Sequence, residues 1–170
     1  MAITLDGNNL LTSGMINSSI AQSSTSGTAI TFTGIPSTAK RITIIYSGVS
    51  TNGTSPPIAQ AGTSGGFVTS GYIGGGGYGG TSSGGGNTTV GFAINGVTWD
   101  ANATANGSTV LYNISGSTWV SSTAVGQSDS GHFVVAGSSV TLSGLLTQLR
   151  VTTINGTDTF DAGSINIFYE

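Results

Sequence analysis

The chain has 170 residues and no cysteine, and Asp, Glu, Lys and Arg together make up 5% of it, against about 25% in an ordinary soluble domain. With Lys40, Arg41 and Arg150 as the cations and a net charge of −3, no basic stripe can form to track a nucleic-acid backbone or bind an anionic membrane. The missing cysteines exclude disulfides, thiolate catalysis and Cys-rich zinc sites.

The length fits one domain able to bury a core without staples. Along the chain, Met1 to Gly14 carry no basic stretch followed by an apolar one, so no signal peptide is expected. No apolar run approaches the roughly 20 residues of a bilayer span, and membrane insertion is not expected. Residues 1–22 are expected to be a docking arm whose apolar contacts are Ile3, Leu5, Leu10, Leu11 and Ile16.

Residues 23–170 read as one β domain. In 28–33, Ile30 and Phe32 share one face while Thr31 and Thr33 share the other. In 41–47, Ile42, Ile44 and Tyr46 point inward and Arg41, Thr43 and Ile45 outward. The same alternation marks 89–94, 109–114, 118–125, 132–136, 139–142, 148–154 and 164–169 as half-buried antiparallel strands. Asp6-Gly7, Asn52-Gly53, Asn95-Gly96, Asn106-Gly107 and Asn155-Gly156 supply turn chemistry. Helix formers are scarce, so the expected fold is an all-β antiparallel sandwich, jelly-roll-like in its order. No fixed repeat appears, which argues against a β-solenoid and against a flat ice-binding face built from pairs such as Thr31 and Thr33.

The Gly-rich stretch 74–86 interrupts the strand pattern and is expected to be an exposed loop. It has no following Lys and no amphipathic helix, so its G-x-G-x-x-G matches do not cradle phosphate. In and before it, Tyr72, Gly75, Gly77, Tyr78 and Gly80 are candidate receptor or partner contacts, the glycines letting the Tyr78 ring approach its target.

Catalysis is not expected. His132 is the one histidine, and Asp129 brings a carboxylate near it, but a hydrolase also needs a serine on a strained elbow. Asp158 and Asp161, with Asn155, could offer oxygens to Ca²⁺ but lack the EF-hand pattern. Paired carboxylates also serve glycosidases, which need them facing each other across a cleft. The favoured reading is a turn whose Asp side chains accept backbone N–H groups. No cofactor or metal is called for. Trp99 and Trp119 could stack on sugar rings but are more simply core or interface residues. Lys40 and Arg41 read as solvated, edge-guarding charges. The Asn-x-Ser/Thr triplets at Asn17, Asn52, Asn102, Asn113 and Asn155 are expected by chance in such a composition.

Two long runs, Phe32-Thr-Gly-Ile-Pro-Ser-Thr-Ala-Lys-Arg-Ile-Thr-Ile-Ile-Tyr-Ser-Gly-Val-Ser-Thr-Asn-Gly-Thr-Ser55 and Leu149-Arg-Val-Thr-Thr-Ile-Asn-Gly-Thr-Asp-Thr-Phe-Asp-Ala-Gly-Ser-Ile-Asn-Ile-Phe-Tyr-Glu170, resemble a β-rich domain of tail-fibre and other virion-surface proteins of tailed bacteriophages. The resemblance implies a homotrimer on the virion surface, acting by binding rather than by chemistry. Long tail fibres carry a separate N-terminal tail-binding region, and none is read in this chain. That makes a capsid decoration (cement) protein, packed on the major capsid protein, the leading expectation. The alternative is a receptor-binding tail tip that meets a host-surface glycan or protein, and a polysaccharide-degrading enzyme using Asp129, Asp158 or Asp161 is a third reading.

Overall fold

The computed structural model describes residues 16–94, 99–128 and 131–170. Among them there is no helix, and the strands in chain order are β1 (Asn17–Ser18), β2 (Gln22–Ser23), β3 (Ala29–Thr33), β4 (Arg41–Thr51), β5 (Pro57–Thr63), β6 (Gly66–Phe67), β7 (Ile73–Gly79), β8 (Gly84–Thr88), β9 (Phe92–Ala93), β10 (Ala105–Ser115), β11 (Thr118–Gln127), β12 (His132–Thr141), β13 (Gln148–Thr153) and β14 (Phe160–Tyr169). They form two antiparallel sheets. The larger runs β1-β14-β4-β10-β11-β12-β7-β8 with β2 also on β14, and the smaller runs β3-β13-β5-β6 with β9 also on β5.

The two sheets pack as a sandwich around one apolar cluster. Ile42, Ile44, Leu111, Trp119, Ile165 and Ile167 come from the larger sheet, and Ile30, Phe32, Leu149 and Val151 from the smaller. Period-two alternation puts these side chains on the inner faces. The all-β sandwich expected from the sequence is therefore present. Its order is its own: β10, β11 and β12 form a meander at the centre of the larger sheet, and the jelly-roll detail is not displayed.

The core also holds a chain of hydroxyls. Tyr46 Oη donates to Thr109 Oγ1 at 3.1 Å, Thr109 and Thr123 share a 2.9 Å bond, and Thr123 Oγ1 donates to the Ala93 carbonyl at 2.9 Å. The Ala93 N–H donates to Ser138 Oγ at 3.2 Å. Ala93 lies on β9 of the smaller sheet, whereas Thr123 and Ser138 lie on the larger. These buried hydroxyls satisfy the Ala93 backbone groups and tie the layers together. Burial pushes the Tyr46 hydroxyl pKa well above its ordinary value, with the Thr109 bond opposing in part.

Several expectations need correction. Residues 132–136 and 139–142 are largely one strand, β12. The 89–94 strand shrinks to β9. β5 was not anticipated, because every residue in it is buried and the alternation vanishes. Asn106-Gly107 is not a turn but lies inside β10, where the register to β4 shifts between Ala105 and Gly107. Gly107 adopts φ 147°, and Asn106 Oδ1 accepts the Gly48 N–H at 2.9 Å. This is a β-bulge made possible by glycine. Asn155-Gly156 does turn, with Gly156 at φ 68°, and Asn52-Gly53 lies in the bend after β4. Asp6-Gly7 and Asn95-Gly96 lie outside the described residues. Within the described part of the expected arm, β1 and β2 add to the edge of β14.

Candidate contact surfaces

The stretch 74–86 is a hairpin, not a loop. β7 pairs with β12 from Phe133↔Gly79 to Ser139↔Ile73, and with β8 from Gly74↔Thr88 to Tyr78↔Gly84. Glycine has poor strand propensity, so packing must account for the run. A Cβ on Gly74 would collide with Ser138 Oγ, and one on Gly76 would lie 2.7 Å from the Ala136 Cβ. One on Gly79 would lie 2.7 Å from the Phe133 ring, which covers that glycine. Neighbouring strands thus occupy the space that side chains on β7 would need.

The candidate contact residues fall differently from expectation. Tyr72 is 1% exposed. Its hydroxyl accepts the Ala61 N–H at 2.9 Å and donates to the Val68 carbonyl at 3.1 Å. It meets Phe92 edge-on at 5.0 Å. Burial pushes its pKa up to about 12, with the Ala61 bond and the Arg150 charge opposing. β5 is paired with β9 at Ile58 and Ala59 and with β6 at Gly62 and Thr63. The Tyr72 hydroxyl fills the gap between them, which makes it a structural residue rather than a contact. Tyr78 is half-buried against the core beside His132, ring centres 4.8 Å apart. Gly75 and Gly77 lie in β7, and Gly80 follows it with φ 134°.

His132 opens β12. Its Nε2 lies 2.9 Å from Ser82 Oγ and 3.2 Å from Thr81 Oγ1, both in the β7–β8 turn. These bonds pin the hairpin tip to β12. Asp129, the proposed relay partner, lies outside the described residues. Asp158 Oδ2 accepts the Ser55 N–H at 2.9 Å and Oδ1 accepts from Asn155 Nδ2 at 2.6 Å. The turn reading of that aspartate therefore holds. Asp161 is exposed on β14. Trp99 and Trp119 are both core residues. Lys40 Nζ donates to Asn113 Oδ1 at 3.1 Å, and Arg41 forms a 2.8 Å ion pair with Glu170.

Of the arm residues, Ile3, Leu5, Leu10 and Leu11 lie outside the described residues. Ile16 is exposed and lines a largely apolar hollow of about 260 Å³ with Thr43, Phe168, Tyr169 and the Arg41–Glu170 pair.

The broadest surface is the outer face of the larger sheet. Register places Thr43, Val110, Ser122, Gly137 and Gly75 in one cross-strand row. Ile45, Ser108, Ala124, Val135 and Gly77 form the next. Tyr112, Val120, Ser139 and Ile73 form a third that ends at Arg41. Phe133, Val135, Tyr112 and Ile73 are exposed on it. Apart from Arg41, already paired with Glu170, these rows contain no charged side chain. Sequence reading missed the face because it took β7 for a loop; the signal available was alternation through 120, 122 and 124 and through 133 and 135.

Comparison with protein-family models, curated proteins and solved structures finds no match to this chain.

Proposed function

We propose that the protein is a non-catalytic structural subunit on the surface of a tailed-bacteriophage particle, a capsid decoration protein that packs through the outer face of its larger sheet. The observation that carries this reading is that face, which joins exposed Phe133, Val135, Tyr112 and Ile73 to glycine and hydroxyl residues. β11 and β12 are 10 residues long. At about 3.3 Å per residue and 4.8 Å between strands, the six strands from β14 to β7 offer roughly 800 Å², the share that one partner gives to a standard interface. Exposed Phe133, Val135, Tyr112 and Ile73 on one such face point to an interaction site. With Arg41, paired to Glu170, as the one charged side chain in its three rows, the face suits neighbours of its own kind, in keeping with the homotrimer that the resemblance implies, and a flat neighbour such as the major capsid protein.

The test is copy number per purified particle, measured by quantitative mass spectrometry against the major capsid protein. A count on the order of hundreds fits decoration of a closed shell. A handful of copies overturns decoration and leaves the receptor-binding tail tip. Val135→Lys should keep the melting temperature within a few degrees and abolish particle binding. Full occupancy by that variant refutes the face.

A further inference from the structure

On the opposite side of the sandwich, the outward row of the smaller sheet runs Thr31, Arg150, Gln60 across β3, β13 and β5. Arg150 is held from two directions. Its Nε donates to Gln60 Oε1 at 2.7 Å, and its guanidinium lies 4.5 Å from the centre of the Phe67 ring. Gln60 is itself 5% exposed, and its Nε2 donates to the Val90 carbonyl at 2.7 Å. The acceptor that orients Arg150 is therefore fixed in turn. A guanidinium carries five N–H donors in one plane; with Nε committed, the Nη groups remain as a pre-aimed fork.

Arg150 borders a cavity of about 280 Å³ lined also by Thr28, Thr69, Thr152, Asn155, Val90 and Ile154. None of the side chains lining it is acidic. Arg41 has Glu170 and Lys40 has Asn113, whereas the Arg150 charge has no carboxylate partner in its cavity. A half-buried cation with an oriented fork and no counter-ion among the described residues favours a planar anion that accepts two parallel hydrogen bonds. The remaining lining sets the rest of the ligand. Asn155 is committed to Asp158 and its own turn, and Thr152 Oγ1 donates to the Thr28 carbonyl at 2.8 Å. The exposed hydroxyls of Thr28 and Thr69 suit a polyhydroxylated body, and Val90 with Ile154 offers an apolar wall to its C–H face. The volume sits just below the usual range of small-molecule sites, which fits one ring rather than several.

We propose that this cavity binds a single carboxylate-bearing sugar residue, a hexuronate of an acidic polysaccharide, with Arg150 gripping the carboxylate and the threonines the hydroxyls. The site lies on the layer opposite the packing face, so it stands or falls independently of the capsid reading.

The experiment is calorimetric titration of the full chain with D-glucuronic acid, D-glucose and inorganic phosphate in turn. Glucuronate should bind at least about tenfold more tightly than either of the others, since only it offers both the charged pair and the hydroxyls. Arg150→Gln should weaken glucuronate about tenfold or more, and Thr69→Val, at an exposed position, about threefold. Glucose binding as well as glucuronate overturns the role of Arg150. Phosphate binding as well as glucuronate reduces the site to an anion site and overturns the sugar. Should Arg150→Gln lose its cooperative melt, Thr69→Val decides, and unchanged glucuronate affinity in that variant refutes the proposal.

Discussion

Tyr72→Phe isolates one hydroxyl whose work is visible in the structure. The substitution keeps the ring and its edge-on contact with Phe92 and removes only the oxygen that joins Ala61 N–H to the Val68 carbonyl. Ala61 is 0% exposed in a strand whose neighbours on that side, β6 and β9, stop short of it. Its N–H therefore has no replacement partner. A buried donor left unpaired costs about 1–3 kcal/mol, while the half-buried Val68 carbonyl can turn toward water. The net expectation is a loss of about 2 kcal/mol. For a chain of this size that corresponds to a fall in Tm of roughly 4–8 °C. Urea unfolding followed by tryptophan fluorescence measures it, with the m-value unchanged. A loss below about 0.5 kcal/mol would mean that the gap in β5 is bridged in some other way. Partner binding should be untouched after correction for stability, because Tyr72 never reaches the surface.

Alkaline pH should expose the same residue. In the folded chain the Tyr72 pKa is pushed up to about 12 from its ordinary value of 10.0, and that of Tyr46 is raised further. The folded state thus holds these protons where the unfolded chain has lost them. The contribution of these two groups should be flat below pH 10 and fall from about pH 10 upward, and Tyr72→Phe should make the fall between about 10 and 12 shallower in pH-dependent urea titrations; an identical slope would refute the assignment. Gly76→Val should cost about 1–3 kcal/mol by forcing a side chain against the Ala136 Cβ. Hydrogen exchange should then show faster opening of β7 and β8, and wild-type protection would count against the packing account of the glycines. Glu170→Gln removes an ion pair between side chains 42% and 32% exposed, so thermal melts should register at most about 1 kcal/mol, less still in high salt.

What the sequence could reveal followed from how each strand is buried. β3, β4 and β14 bury one face, so Ile30/Phe32, Ile42/Ile44 and Ile165/Ile167 alternate with polar residues and are legible. β5 is covered on both faces and β7 has almost no side chains, so neither can display the period from which strands are read. The same blindness displaced the candidate site. Once β7 passed for a loop, Tyr72 and Tyr78 looked like its exposed aromatics, whereas pairing with β12 turns the Tyr78 ring toward the core and Tyr72 is buried just ahead of β7. The turn at Asn155 was legible because an Asx side chain finds its own backbone: Asn155 Oδ1 accepts the Thr157 N–H at 3.0 Å. The Arg150 cavity was not, since it depends on Gln60, Phe67 and Val90 converging from distant positions.

The two layers hold their guanidinium groups differently: Arg41 ends a row of the larger sheet and is paired with Glu170, whereas Arg150 lies within the smaller. The larger sheet presents rows of Thr, Val, Ser, Ala and Gly to the outside, where a buried unpaired charge would oppose packing against a neighbour. The smaller sheet keeps a guanidinium at its centre, held by Gln60 and Phe67. If one layer packs and the other binds, the two functions must respond separately to substitution. Val135→Lys should abolish particle binding and leave glucuronate affinity intact, and Arg150→Gln should do the reverse. Sites on opposite sheets that share no partner are expected to behave additively, within about 0.5 kcal/mol. A double variant that departs from the sum of the singles by more than that would mean that the core transmits between the layers. The Thr109–Thr123–Ala93 hydroxyl chain, which with Ser138 links them, would then be the place to cut, by Thr123→Val.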